Sequence, residues 1–333
     1  MYNSGVIFMA EGQTKQRNCT IDLLRVIGLV LVISAHCGFS SWFTNARDFD
    51  VILLMFVSGV SFALSHPPDL SYRDYVKKRF RKLILPVWVF LTGFFLFFRV
   101  LGKTFTLREM AESYLLLAGG VLFVWVYRVF FTSALLNPFL LRLRDRRNAH
   151  ILSLCTVLLL AFNDLISVFV FSKLGTAGKL LQYLFTYTIA YGLVSFAGIV
   201  FEKAERKDRI RIGILYAMAF VFAGALMRFP KFYDCKYPPM LYYCAYGIAW
   251  SALLFLGFER FSVSGILRSL ITWISVHTMD IFMWHIFAYY LLEWINPAYM
   301  DLPWLDFAVF LGGGILGAFL QEKVMKLWKK RRI

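Results

Sequence analysis

The sequence predicts an all-α polytopic membrane protein of about ten transmembrane helices, with both termini cytoplasmic. Three observations carry that prediction. Of 333 residues, 59% are hydrophobic and only 17% charged, against roughly 25% charged in an ordinary soluble domain. Aromatic residues are abundant, with 35 Phe, 17 Tyr and 9 Trp. The apolar residues also gather into runs of about 20, the length that carries a helix across a bilayer. A soluble fold would leave too much of this surface in water, and disordered chains are poor in aromatics.

The segments follow in order. A polar stretch ending in Lys15, Arg17 and Asn18 precedes the first, 20–40. No small-residue cleavage site follows it, so it is expected to be retained rather than removed as a signal peptide. The second, 48–66, ends at His66-Pro67-Pro68, where a solvated boundary loop is expected. The basic run from Arg73 to Lys82 precedes the third, 83–101, and the stretch 108–131 has room for an interfacial helix before the fourth, 121–143. Arg142 to Arg147 separate the fourth from the fifth, 150–171, which Asn163 and Asp164 interrupt. The sixth, 179–201, and the seventh, 211–228, flank Lys203 to Arg211. The eighth is 239–258; Arg260 and Arg268 precede the ninth, 270–294; the tenth, 304–326, runs into Lys329 to Arg332.

With a cytoplasmic N-terminus, the inner segments carry 25 Lys and Arg residues and the outer segments 9. That asymmetry fits the positive-inside rule and reads the net charge of +16 as membrane orientation, not as a nucleic-acid surface. No repeat or flexible linker divides the chain. The expected organisation is a cytoplasmic tail 1–19, one membrane domain 20–326 and a basic tail 327–333. Cys19, Cys37, Cys155, Cys235 and Cys244 follow no metal spacing, so neither a metal site nor a structural disulfide is expected.

Ionisable groups inside a bilayer are costly and therefore mark candidate sites. The first segment has the clearest set, Asp22, Arg25 and His36. Eleven residues separate Arg25 from His36; at 100° per residue this is three turns plus about 20°, so both lie on one stripe, about 16 Å apart along the axis. Asp22 is three residues before Arg25 and within pairing reach. Two readings stay open: a functional stripe, or a snorkelling arginine with a histidine hydrogen-bonded between helices. Arg128 is either a contact for an acceptor or acyl carbonyl, or a partner of Asp164. His277 and Asp280 share a face, whereas His285 points about 140° away from Asp280. Ser58-Gly59 and Gly312 to Gly314 suit close helix packing.

The Arg-x10-His spacing opened by IDLLR resembles integral membrane acyltransferase family 3, whose members O-acetylate or otherwise O-acylate surface polysaccharides. Four further segments are similar to the family's in the same order: MFVSGVSFALS with Phe56, Ser58 and Gly59; KKRFRKLILPVW; the span led by Trp125 and ending near Pro138; and TMDIFMWHIF, ending on His285. In the basic segment either Lys78 with Arg81 or Arg79 with Lys82 fits the pair three apart, and Asp280 stands where the family more often has Ser.

The resemblance implies acetyl-CoA, or another short acyl-CoA, as donor, with no metal. It implies catalytic roles for His36, as general base, and Arg25. It implies donor contacts for Arg25, Lys78, Arg79, Arg81 and Lys82, since Arg and Lys suit coenzyme A phosphates. It implies acceptor contacts for Arg128, Ser58, Trp125 and His285. For His285 and the basic cluster, packing and a topology or anionic-lipid role remain the plain alternatives. Expected partners are a surface or lipid-linked glycan, membrane lipids of a bacterial-type inner membrane, and either a second copy or a separate outer-side protein, because the chain ends at Ile333. A transporter or flippase for a glycan or lipid intermediate is the competing function; inverted repeats with broken helices would favour it.

Overall fold

The computed structural model describes residues 18–65, 71–295 and 302–330. The expected boundary loop at His66-Pro67-Pro68, most of the N-terminal tail and the last three residues lie outside these. Among the described residues the secondary structure is helical, with no strand and one isolated bridge, Lys236 to Pro239.

Helix α1 spans Cys19–Ser34, and the Asn18 side chain caps it by accepting from the Thr20 and Ile21 amides. A short α2 (Ser41–Ala46) leads into α3 (Asp50–Ser65). Helix α4 (Tyr72–Leu83) is capped by Ser71 and ends in Arg81 and Lys82, which suit a helix C-terminus. The chain breaks at Ile84, and α5 (Leu85–Val100) restarts with Pro86 in its first turn. The expected short helix before the fourth segment is α6 (Leu107–Tyr114), opened by a reciprocal Thr106–Glu109 capping box.

Next come α7 (Trp125–Arg146), α8 (Ala149–Phe169), α9 (Gly175–Leu181), a π-helical turn at Gln182–Thr186 and α10 (Tyr187–Lys203). Helices α11 (Arg206–Met227), α12 (Phe232–Lys236), α13 (Leu241–Phe258), α14 (Gly265–Val276), α15 (Thr278–Ile295) and α16 (Pro303–Lys330) complete the chain.

Among the described residues, seven helices or helical runs are long and apolar enough to cross a membrane: Ser41–Ser65, Tyr72–Val100, Val121–Arg146, Ala149–Lys203, Arg206–Met227, Leu241–Phe258 and Pro303–Lys330. Leu154, Leu158, Phe162, Leu165 and Phe169 on α8 point outward, as do Met218, Val221 and Phe222 on α11. Apolar side chains turned away from the core are the mark of a lipid-facing surface. The chain is a multi-pass membrane protein. Helix covers part of each of the ten expected segments; the first runs past α1, which stops at Ser34, and the ninth is divided at His277 between α14 and α15.

Helix α3 lies in the middle, against α1, α10 and α13. Its approach to α10 is so close that a Cβ on Gly59 would run into the Ser195 carbonyl, and one on Gly198 into the Phe56 carbonyl. The packing role expected of Ser58-Gly59 is thus Gly59's. Of the three glycines in α16, Gly314 faces Ile281 and His285 and Gly313 faces Ala288, but Gly312 faces open space and admits no such role. The three lie 100° apart in turn, so one interface cannot hold them all.

Candidate active site

Helix α1 stops at Ser34, and Gly38, at φ +63°, turns the chain away. His36 projects from this turn, its amide donating to the Ile33 carbonyl at 3.1 Å. Its half-buried ring packs against Phe123 at 4.6 Å, His285 at 5.5 Å and Tyr289 at 6.1 Å, between centroids. His285, on α15, is wholly buried. Among the described residues neither of its ring nitrogens has a hydrogen-bond partner of good geometry. Two imidazoles therefore face one another across the α1–α15 boundary, one reachable and one sealed in. Tyr289 lies one turn beyond His285 on the same helix face.

Beside this pair lies a buried ionic cluster that joins Arg47 and Lys236, both expected in outer segments, to Asp48 and Asp50 at the start of the second expected segment. Arg47 donates to Asp50 at 2.6 Å, and Asp50 also accepts from the Val51 amide at 2.6 Å. Lys236 bonds Asp48 and lies 3.7 Å from Asp50. All four side chains are buried, and two cations against two carboxylates leave the cluster neutral. Burial opposes the Lys236 ammonium, but the Asp50 and Asp48 carboxylates outweigh it and hold its pKa above the ordinary range. The charges of Asp50, Arg47 and Lys236 reach His36 electrostatically. The run Arg47-Asp48-Phe49-Asp50 before an apolar segment was the available signal.

At the other end of α1, Arg25 donates to Ser61 at 2.7 Å and to Ser275 at 3.4 Å, and lies 3.9 Å from Asp22. Asp22 is buried; it accepts from Ser275 at 2.7 Å and stands 3.7 Å from Arg268. The expected Asp22–Arg25 proximity is present, within a network that ties α1 to α3 and α14. Ser58 sits half-buried on α3, one turn from Ser61 toward the Asp50 end.

The basic helix α4 borders the same end, since Arg79 stacks over Phe62, next to Ser61, as well as over Tyr75. A surface recess of about 460 Å³ is lined by Asp74, Lys77, Lys78, Arg81 and Lys82. Arg79 is not part of it. Residues 75 and 79 lie one turn apart on one face of α4, and 74, 77, 78 and 81 lie on another. Of the two basic pairs expected at the donor, it is Lys78 with Arg81 whose members both line the recess. A second recess of about 300 Å³ at the end of α1, lined in part by Glu202, Arg209, Glu259 and Arg260, has ion-paired walls, with Arg209 3.4 Å from Glu259.

The expected acceptor contacts Trp125 and Arg128 open α7, whose start is strained: Leu122 and Phe123 have φ of +63° and +49°. This turn puts Phe123 on His36 and Trp125 among Tyr187, Tyr191 and Tyr237. Arg128 does not pair with Asp164. Asp164 accepts from the Leu241 amide at 2.8 Å and so caps α13, while the Arg128 guanidinium lies 3.6 Å from the Tyr183 ring centroid. His277 pairs with Asp280 at 3.0 Å, and Asp280 accepts from Gln321 at 2.9 Å, which ties the α14–α15 break to α16.

A helical membrane protein with a reachable imidazole at one end of its first helix, and a basic recess toward the other, has the parts of a transferase that works across a membrane. The acyltransferase domain model of acyltransferase family 3 matches residues 20–321, and the chain belongs to that family. It is a membrane acyltransferase. No curated protein and no solved structure matches the chain.

Proposed function

We propose that the protein moves an acetyl or similar short acyl group from cytoplasmic acyl-CoA to a sugar hydroxyl of a surface or lipid-linked glycan, with His36 as general base. The observation that carries this reading is the division of labour along α1: Arg25 with the α4 recess near one end, His36 with its aromatic and imidazole neighbours at the other. The two levels are about 16 Å apart at 1.5 Å rise per residue. Coenzyme A enters with its phosphates at Lys78, Arg81 and Lys82, and Arg25 contacts the donor as it extends toward His36.

An acceptor hydroxyl gives its proton to the His36 imidazole as its oxygen attacks the thioester carbonyl. The tetrahedral intermediate collapses to the ester. The departing coenzyme A thiolate takes the proton back from the imidazolium, and the enzyme returns to its starting state. Trp125, Arg128 and Ser58 belong to the acceptor side of the path, and no metal takes part.

The same reading takes the chain as ten crossings with both termini cytoplasmic, in a bacterial-type inner membrane. The 55-residue run Ala149–Lys203 is about 80 Å of helix, far more than one hydrocarbon core of about 30 Å. It bends at Gly175, whose φ is +55°. Residues 1–19 and 327–333 are then the cytoplasmic tails of one membrane domain, 20–326. A separate outer-side protein or a second copy completes delivery to the glycan. The deciding experiment supplies radiolabelled acetyl-CoA to membranes carrying the wild-type protein or His36→Ala and follows label into the base-labile glycan fraction. Label lost with His36→Ala supports the proposal; label retained at the wild-type rate sinks it.

A further inference from the structure

Resting on the acyltransferase reading, we infer that Arg128 is an anion-recognition subsite, and that the acceptor is a saccharide carrying a negatively charged oxyanion group beside the hydroxyl to be acylated. Arg128 is only 9% exposed, and both of its terminal nitrogens are buried with no hydrogen-bond partner among the described residues. A buried guanidinium without a partner is costly. The cost is recovered when a carboxylate or phosphate accepts two of its parallel N–H groups.

The surroundings are built for a sugar rather than for a second protein side chain. Asp164 is committed to the α13 amide. The Tyr183 ring covers one face of the guanidinium, which leaves the N–H edges as the direction of recognition. Tyr183 sits on the π-helical turn Gln182–Thr186, and such turns often mark functional positions. Its hydroxyl and that of Tyr191 are also buried without partners. Around them Trp125 lies 6.1 Å from Tyr187 and 5.6 Å from Tyr237, and Tyr237 reaches the surface. Aromatic faces with unmet hydroxyls suit the apolar faces and hydroxyl edges of a saccharide.

The subsite also stands at the right place. Phe123 touches His36, and Arg128 follows it by five residues, in the first turn of α7. The subsite thus belongs to the stretch of chain that also borders His36, and we take the reacting hydroxyl and the charged group to lie on one saccharide. The shared chemistry is an oxyanion; a uronate carboxylate and a sugar phosphate are its two sources.

The test uses the full chain purified in a neutral detergent, with glucose, glucuronate and glucose 1-phosphate as probes in saturation-transfer NMR titrations. At least one charged sugar should bind about tenfold more tightly than glucose, the scale of one charge-assisted hydrogen bond. Preference for glucuronate alone assigns a carboxylate, and preference for the phosphate alone a phosphoryl group. Arg128→Gln should bring the charged sugars to within about twofold of glucose, while Arg128→Lys keeps part of the preference.

Equal binding of all three sugars to the wild-type protein overturns the proposal without any variant, and so does a preference that survives Arg128→Gln. Coenzyme A binding is titrated in the same wild-type preparation. Its absence would overturn the acyl-CoA reading instead, so the two failures are told apart.

Discussion

The imidazoles of His36 and His285 lie 5.5 Å apart, although one ends the first long helix and the other is set in the next-to-last. His285 is sealed, with no good hydrogen bond to either nitrogen, and His36 is reachable. Of the two, His36 is the one a substrate can reach, and the proposed base role is tested there, with His285 tested as a positioning residue. His36→Ala should reduce acyl transfer by about 10²- to 10⁴-fold, the usual contribution of a general base. His285→Gln should reduce it less and also change the pH–rate profile, which a packing defect alone would not do. If His285 acts through His36, the double variant should be little worse than His36→Ala. Full additivity in rate measurements on solubilised membranes would separate them.

The ionic cluster behind His36 gives a second prediction. Asp50 holds Arg47 and lies near Lys236, all of them buried. Removing one partner leaves an unpaired buried charge, which costs about 3–5 kcal/mol. Asp50→Ala should therefore lower the unfolding midpoint sharply, whereas the joint change Asp48→Asn with Lys236→Met removes one charge of each sign and should cost much less. Denaturant titration of the purified protein checks the ordering.

How far the sequence reaches is visible in these same residues. The turn of His285 away from Asp280 was readable because both lie on α15, but helical period does not carry from Arg25 to His36, since α1 stops at Ser34 and His36 sits in the turn beyond it. That His285 turns toward His36 was not readable, because the contact joins two helices far apart in the chain. The approach of Lys236 to Asp50 was not readable for the same reason: ion pairing across the bundle leaves no local pattern. Arg79 and Tyr75 share a face of α4 by helical period, a distinction that a plain run of basic residues hides.

Helix α4 tests that distinction directly. Lys78 and Arg81 line the recess, while Arg79 stacks on Tyr75 and Phe62. Lys78→Ala and Arg81→Ala should each weaken coenzyme A binding about threefold to tenfold, more so at low salt, since phosphate contacts on an exposed helix are screened. Arg79→Ala should act on thermal stability rather than on coenzyme A, through lost stacking worth about 0.5–2 kcal/mol. Calorimetric titration of the three variants decides it, and an Arg79→Ala that binds as poorly as Arg81→Ala would return Arg79 to the recess.

The close approach of α3 and α10 sets a stability limit at a point with no side chain to move. A methyl group at Gly59 meets the Ser195 carbonyl, and backbone cannot yield as a flexible side chain does. Gly59→Ala should force the helices apart and cost about 1–3 kcal/mol, the usual penalty of overpacking. Gly312→Ala, which faces open space, should be nearly neutral and serves as the control. Thermal unfolding in detergent reads both, and an equal effect of the two would contradict the packing.

The structural tie made by Arg25 and its proposed donor contact can be tested apart. Its bonds to Ser61 and Ser275 join α1 to α3 and α14, and Asp22 beneath it is buried with Ser275 and Arg268 around it. Asp22→Ala removes the carboxylate that these groups surround and should cost about 3 kcal/mol of stability. Arg25→Lys keeps the charge but gives up the forked geometry that reaches two hydroxyls at once, so it should lose some stability while retaining part of the affinity for acyl-CoA. Arg25→Ala should lose both. Acyl-CoA affinity unchanged in Arg25→Ala, measured alongside its unfolding midpoint, would leave Arg25 a structural tie and move the donor path elsewhere along α1.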